Sequence, residues 1–181
     1  MAEKFDEEEV RKLNSIDDTQ ARTIKRKVEF DSRTLNKIVD TIVNKYSKEL
    51  DDIIEKMKGL LENSDNLTDD QLLYYTSLIP TYIYFSGNGL ESLGAEKDTA
   101  SAMKKEIYAD AYMKATGTVK DKSSEAFTVA LQETFIEVAY DRAYKKLKLK
   151  IEHAILVANS VKKVLDYRIS CIKFKGNKED N

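Results

Sequence analysis

Apolar side chains recur at steps of three and four residues along most of the chain, which is the period of an amphipathic helix. The pattern predicts a helix that begins with an N-cap at Asp31 or Ser32 and ends at the polar run 63–66. The preceding residues 23–30 are predicted to form an extended lead-in, a short strand or the start of that helix. Residues 1–20 are acidic and poor in apolar side chains, so they are predicted to form a mobile arm.

The middle of the chain carries clear start and stop signals. Thr68 and Gln71 predict a capping box at the start of a second helix, with Leu67 and Leu72 placed as a hydrophobic staple. Pro80 predicts a kink or a stop one residue earlier, because it removes a helical hydrogen bond and clashes with the preceding turn.

Glycines follow that proline closely. Gly87, Gly89 and Gly94 predict a turn-rich connection, after which a further helix is expected over residues 98–115 and is stopped by Gly117. The face of this helix that carries Met103, Ile107 and Ala111 is expected to be buried.

The C-terminal part of the chain has the strongest pattern, because no glycine or proline occurs from Val119 to Lys175. A helix over residues 124–173 would be roughly 75 Å long, so it either protrudes or packs lengthwise on the helix of residues 32–61. A shift of the apolar register predicts a break or a bend near Glu137. Its apolar positions alternate by four and three as in a coiled coil. The heptad seam, predicted to pack on a partner helix or a second copy, consists of Tyr144, Leu147, Ile151, Ala154, Ala158, Val161 and Leu165.

These elements predict an all-α fold, a helical bundle with long antiparallel coiled-coil-like helices and one long C-terminal helix. One proline, six glycines and 34% charged residues fit that class. The expected organisation is a mobile acidic arm over 1–20, a single helical domain over 21–175 and a disordered tail over 176–181.

Candidates for catalysis are scarce. His153 is the only histidine and Cys171 the only cysteine, which excludes the two-histidine metal sites and an internal disulfide. On one intact helix the two side chains would lie roughly 27 Å apart along the axis, too far to act together. We therefore expect no catalytic residue, no metal ligand and no cofactor. The acidic start and the lack of a long apolar run favour a cytoplasmic protein without a membrane span.

Charge divides the chain more sharply than its net value of −2 suggests. Residues 1–98 carry a net of −7, whereas residues 99–181 carry a net of +5. Between Asp141 and Lys175 ten basic and three acidic residues give a net of +7, which favours a strip that binds phosphates. The basic residues of the predicted strip are Arg142, Lys145, Lys146, Lys148, Lys150, Lys162, Lys163 and Arg168. An ordinary solvated helix face is the alternative, although a surface built for solubility more often mixes signs.

Two further features qualify this strip. Arg168 occupies a seam position, where a charge lowers stability unless it meets an acid or the helix end. Tyrosines are the second feature, since aromatic rings among cations can stack on single-stranded bases, although core packing is the favoured interpretation of the cluster. The rings concerned are Tyr74, Tyr75, Tyr82, Tyr84 and Phe85, with Tyr140 and Tyr144 before the basic strip.

Residues 70–173 resemble a known family. The stretches MKKEIYADAYMKATGTVKDKSSEAF and YDRAYKKLKLKIEHAILVANSVKKVLDYRI resemble the UvsY type of recombination mediator of bacteriophages. That resemblance implies an all-helical, oligomeric protein that binds single-stranded DNA and helps to load a recombinase. It also implies that Lys104 and Lys105 belong to the basic surface, together with the C-terminal lysines. The acidic arm and the helix of residues 32–61 depart from the family's pattern.

Two hypotheses of different class follow. The first is a non-enzymatic accessory protein of DNA metabolism that binds nucleic acid, with single-stranded DNA favoured, and also binds itself. A recombinase or another phage or host protein would be its partner. The second is a structural or protein-interaction module, such as a virion component or an inhibitor of a host protein, in which the seam binds the partner and the lysines only solubilise the helix.

Overall fold

The computed structural model describes residues 18–62 and 67–179 of the chain. Four helices make up this part: α1 is Asp18–Glu62, α2 is Asp69–Lys114, α3 is Val119–Val129 and α4 is Leu131–Glu179. No strand occurs within those ranges. The predicted all-α class and the long C-terminal helix are therefore confirmed.

Internal contacts divide the chain into two units, residues 1–38 and residues 39–181. In the first unit the described residues form the beginning of α1, and every side chain from Lys25 to Thr34 is exposed. In the second unit α2 runs antiparallel to the remainder of α1, since Tyr46 donates a hydrogen bond to Glu96 at 3.3 Å while residues further along α1 meet the start of α2. Helix α4 runs antiparallel to α2, which it contacts along its length.

Three helices share the core of the second unit. Met57 of α1, Leu72 of α2 and Val161 of α4 are completely buried in one cluster, which also includes Ile79 and the turn residue Leu67. Each comes from the apolar stripe of an amphipathic segment, whose burial is the main favourable term in folding. The long helices thus pack lengthwise, as the sequence allowed.

Helix α1 begins earlier than its N-cap signal predicts. The expected start at Asp31 or Ser32 is wrong, because α1 is continuous from Asp18 and the segment 23–30 is helical. A lone strand has no partner for its backbone groups, whereas a helix satisfies them within the segment. Residues 1–17 of the predicted arm lie outside the described residues, and residues 18–20 belong to α1. At the other end of the chain, α4 continues to Glu179, which lies in the predicted tail.

The start of α2 follows the local signal. Thr68 Oγ1 accepts a hydrogen bond from the backbone N–H of Gln71 at 3.2 Å, and Gln71 Oε1 accepts one from the N–H of Thr68 at 3.0 Å. Leu67 and Leu72 are both buried beside this cap. The predicted capping box is confirmed, and two backbone donors that a helix start leaves open are satisfied.

The predicted stop and the predicted turn-rich connection are wrong. Helix α2 continues through Pro80 and through all three glycines to Lys114, so the separate helix expected over 98–115 is its second half. Gly89 lies so close to the side chain of Tyr46 that a larger residue would hold the two helices apart, whereas Gly94 is in ordinary contact range of the ring of Tyr144. Tertiary contacts here override the low helix propensity of glycine and proline.

Gly89 and Gly87 form a matched pair for testing this contact. A Cβ atom at Gly89 would lie 2.8 Å from Cδ1 and 2.9 Å from Cβ of Tyr46, whereas one at Gly87 would meet no atom within 4 Å. Gly89→Ala should lower the free energy of unfolding by about 1–3 kcal/mol through overpacking. Gly87→Ala should raise it by about 0.5–1 kcal/mol, because alanine is the better helix former. Urea unfolding followed by circular dichroism measures both, and an equal effect of the two variants would contradict the contact.

The end of α2 and the start of α3 also follow local signals. Gly117 adopts a φ of +109°, a conformation that other residues rarely take, so the predicted stop is confirmed. Thr118 then caps α3 through a second capping box with Asp121. The helix predicted over 124–173 is divided at Ala130, between α3 and α4. Helix α4 is continuous through Glu137, so the predicted break at that residue is wrong.

The heptad seam packs inside the chain. Leu147, Ala154 and Val161 are buried, and the remaining seam residues, Tyr144, Ile151, Ala158 and Leu165, are half-buried. The chain's own helices therefore occupy the surface that was predicted to receive a partner helix or a second copy. Arg168 meets an acid, as its seam position requires, since its guanidinium donates to Asp69 at 2.9 Å and to the backbone carbonyl of Leu67.

Candidate nucleic-acid interface

The basic residues of α4 lie on the faces that its core positions leave free. Because the seam recurs every three or four residues, the lysines between seam positions point towards solvent or towards the flanks of α1 and α2. Arg142, Lys145, Lys146 and Lys148 are exposed, as are Lys162 and Lys163. Lys150 and Arg168 lie at the flank and are half-buried.

Half of the ten predicted binding residues are engaged in ion pairs. Lys145 pairs with Asp141 at 2.6 Å on α4 itself, and Lys104 pairs with Glu137 at 2.8 Å across α2 and α4. The other pairs join α4 to neighbouring helices: Lys146 to Asp40, Lys150 to Asp51 and Arg168 to Asp69. Few acids lie near the strip in the sequence, but the folded chain brings carboxylates to it. The carboxylates that pair with these cations come mostly from other helices.

Five of the predicted residues stay available to a ligand. Lys105 on α2 and Arg142, Lys148, Lys162 and Lys163 on α4 are exposed and form no ion pair within the described part of the chain. We call the four residues on α4 the open cations. They span 21 residues of helix, or about 32 Å along its axis.

Ion pairs lower the pKa of two carboxylates on α4. Hydrogen bonds from Lys104 and Ser101 lower the pKa of Glu137. A hydrogen bond from Lys145, with a further one from Lys97, lowers the pKa of Asp141. A carboxylate whose pKa is lower in the folded state stabilises the fold above its unfolded pKa, about 4.3 for glutamate, and this contribution is lost as the pH falls through the folded pKa.

Acid should therefore destabilise the protein partly through Glu137. Between neutral pH and about pH 3 the unfolding free energy of the wild type should fall by about 0.5 kcal/mol more than that of Glu137→Gln, since exposed pairs are worth little. Urea titrations of both proteins at the two pH values measure the difference. Equal losses would mean that the pair with Lys104 contributes nothing to folding.

A second basic segment lies outside the predicted strip. Residues 22–37 carry six basic and two acidic side chains, a net of +4, within the first half of α1. Phe30 and Val28 are exposed among them, at 70% and 58%. The acidic excess of residues 1–98 as a whole concealed this segment, and a charge count over a window of 16 residues would have found it.

The aromatic cluster around Pro80 is divided by the fold. Tyr74, Tyr84 and Phe85 are exposed, so the favoured prediction of core packing is wrong for them, whereas Tyr75 and Tyr82 are half-buried. No lysine or arginine occurs between residues 67 and 96, so this part of α2 does not interleave its rings with cations of its own.

The two tyrosines that precede the basic strip are less accessible. Tyr140 and Tyr144 are half-buried, and Lys97 lies over the ring of Tyr144 with its Nζ 5.2 Å from the centroid. Neither ring offers the open face that stacking on a base requires.

A groove between α2 and α4 brings two acids near apolar side chains. It is lined mostly by apolar residues such as Met103, Ile136 and Tyr140, with Glu96 and Glu133 at its edge. Glu133 Oε2 is buried and has no hydrogen-bond partner in the described residues. Thr99 and Tyr140 contribute hydroxyl groups to this lining, and no lysine, histidine or cysteine belongs to it. Within the described ranges, no three His, Cys, Asp or Glu side chains are placed to hold a metal ion.

Comparisons with protein-family models, curated proteins and solved structures find no match to this chain. The function is therefore inferred from the geometry of the open cations and of the exposed rings. No helix in the described ranges combines the length and the apolar character that crossing a bilayer requires.

Proposed function

We propose that this protein is a non-enzymatic accessory factor of DNA metabolism that binds nucleic acid, foremost single-stranded DNA, and associates with itself. The open cations on the solvent-facing side of α4 are the single observation that carries the proposal. Their charges are not neutralised within the described residues, which is what a phosphate-binding surface requires. The resemblance to the UvsY type supports the same function and adds a recombinase, or another phage or host protein, as partner.

The arrangement favours contacts to the backbone over contacts to bases. Arg142 and Lys148 lie about 9 Å apart along the helix axis, and Lys162 and Lys163 follow about 20 Å further on. A flexible single strand can follow such separated charges along the helix. Exposed rings also lie near cations, at Phe30 on α1 and Tyr167 on α4. Stacking on such rings accepts every base, so little preference for base composition is expected.

The first half of α1 is a second candidate surface for the same ligand. Its net charge of +4 within residues 22–37 equals that of residues 142–157 on α4, and its side chains from Lys25 to Thr34 are all exposed. A helix with cations around much of its circumference suits electrostatic binding to phosphates.

Fluorescence anisotropy with labelled single- and double-stranded oligonucleotides tests the proposal directly. At low salt the full chain should bind the single strand, and the logarithm of the binding constant should fall linearly with the logarithm of the salt concentration. Binding should differ little between strands of different base composition. If neither oligonucleotide binds at low salt, the proposal is wrong.

A structural or protein-interaction module is the second candidate function. The observation that favours it is the exposure of large apolar side chains on α2, among them Tyr84 at 67% and Met113 at 77%. Exposed apolar surface of this extent commonly marks a protein contact. A virion component or an inhibitor of a host protein would use such a surface and would be insensitive to reversal of the open cations.

A further inference from the structure

Helix α2 exposes an uncharged face in its first half. Its inner face buries Leu72, Ile79 and Leu93 in the bundle. The opposite face, which we call the outer strip, carries exposed side chains at Leu73, Tyr74, Tyr84, Phe85, Ala95, Ala102, Ala109 and Met113. No charged residue occurs from 71 to 90, whereas further along the same face Glu91, Asp98, Lys105 and Glu106 are exposed. A helix at the surface of a bundle normally turns a charged face to water, so the uncharged first half indicates a surface that a partner covers.

The two halves of the outer strip differ in side-chain size. The first half carries the large side chains of Leu73, Tyr74, Tyr84 and Phe85. The second half carries small ones at intervals, namely Ala95, Ala102 and Ala109, with the flexible Met113 after them. If two identical strips meet antiparallel, the large half of one lies on the small half of the other. Side chains then interdigitate, as close packing requires.

Charge along α2 selects the same orientation. Residues 67–96 contain four acidic side chains and no basic one, whereas residues 97–114 contain four lysines and three acids. An antiparallel pair brings Asp69 and Asp70 at the start of one helix close to Lys114 at the end of the other. A parallel pair would instead place acids on acids and rings on rings, and like charges at close range repel.

We propose that the outer strip is the contact surface between two copies of this chain, packed antiparallel about a two-fold axis near Leu93. In this register Leu73 lies opposite Met113, Ser77 opposite Ala109, and Tyr84 opposite Ala102 of the second copy. Such a contact is isologous and closes at two chains, which is the commonest symmetry of oligomers. The strip is about 60 Å long, from Leu73 to Met113.

This inference rests on the proposed function in one respect. The proposed function includes self-association, and the outer strip is the surface that we assign to it. The heptad seam of α4 cannot serve that purpose without opening the bundle, because Leu147, Ala154 and Val161 are already buried. The outer strip and the open cations lie on different helices. Dimerisation and nucleic-acid binding can therefore be measured and abolished separately.

Sedimentation equilibrium of the full chain without nucleic acid tests the contact. The wild type should show twice the chain mass of 20.7 kDa. Tyr84→Lys and Ala102→Glu should each reduce the mass to that of one chain, because each places a charge in the apolar contact. The double variant should recover the dimer, since each new lysine then lies opposite a new glutamate. Both positions are exposed, so the circular dichroism spectra should not change.

Lys148→Glu on α4 is the control, and its mass should stay that of the dimer. A wild type of one chain mass would overturn the proposal. So would single variants that keep the mass of two chains, and failure of the double variant to recover that mass would overturn the proposed register. The anisotropy assay answers the separate question of function: a dimer that binds no nucleic acid removes the proposed function and leaves the contact standing.

Discussion

Leu147→Asp should unfold the bundle, whereas Leu149→Asp, two residues further along α4, should leave it folded. The side chain of Leu147 is 0% exposed and that of Leu149 is 51% exposed. Removing a buried leucine costs about 2–5 kcal/mol, and an uncompensated carboxylate in its place adds a desolvation penalty. The total is comparable with the whole stability of a domain, about 5–15 kcal/mol.

Urea unfolding followed by circular dichroism measures this difference. Leu147→Asp should show little helical signal or a much lower midpoint, and Leu149→Asp should follow the wild-type curve closely. Similar curves for the two variants would mean that α4 does not pack on α1 and α2 through the seam. The result also changes how seam variants are interpreted, because loss of function in Leu147→Asp would report unfolding rather than loss of a partner.

Reversal of three open cations should remove most of the nucleic-acid binding. The variant Lys148→Glu, Lys162→Glu, Lys163→Glu changes exposed side chains that form no ion pair in the described ranges, so the fold should be kept. If each lysine contacts one phosphate of a single strand, the slope of log K against log salt should fall in magnitude by about 2, at about 0.7 per contact. The affinity at low salt should fall at least roughly tenfold.

A matched control separates local contacts from net charge. Lys48→Glu, Lys56→Glu, Lys58→Glu changes three exposed lysines of α1 and alters the net charge by the same amount. It should bind much more tightly than the α4 variant. Equal losses in the two variants would show that binding follows overall charge and has no site on α4. Lys145 and Lys146 are unsuitable for this test, because their reversal would also break ion pairs with Asp141 and Asp40.

Local signals in the sequence predicted the features that depend on neighbouring residues. The capping box at Thr68, the stop at Gly117 and the continuous C-terminal helix each depend on side chains within a few positions. The physics at those places is short-range: a hydroxyl that accepts a nearby N–H, or a positive φ that only glycine adopts readily.

Features that depend on distant partners could not be predicted in this way. A glycine fits at position 89 where a larger residue would not, because Tyr46, more than forty positions earlier, packs against it. The charge of Lys150 is offset by Asp51 on another helix, so the net charge of its own segment misleads. Exposure of Tyr84 likewise follows from which face of α2 the bundle covers, and an apolar segment alone does not reveal its covered side.

The hydrogen bonds from Arg168 to Leu67 and Asp69 have a consequence for synthesis of the chain. Arg168 is separated from Leu67 by 101 positions and from Asp69 by 99. A ribosome therefore releases α1, α2 and the segment between them long before Arg168, which joins Leu67 and Asp69 to α4. During this interval Met57 and Leu72 lack the apolar cover that Val161 later provides. The nascent chain is therefore expected to be prone to aggregation until its last helix emerges.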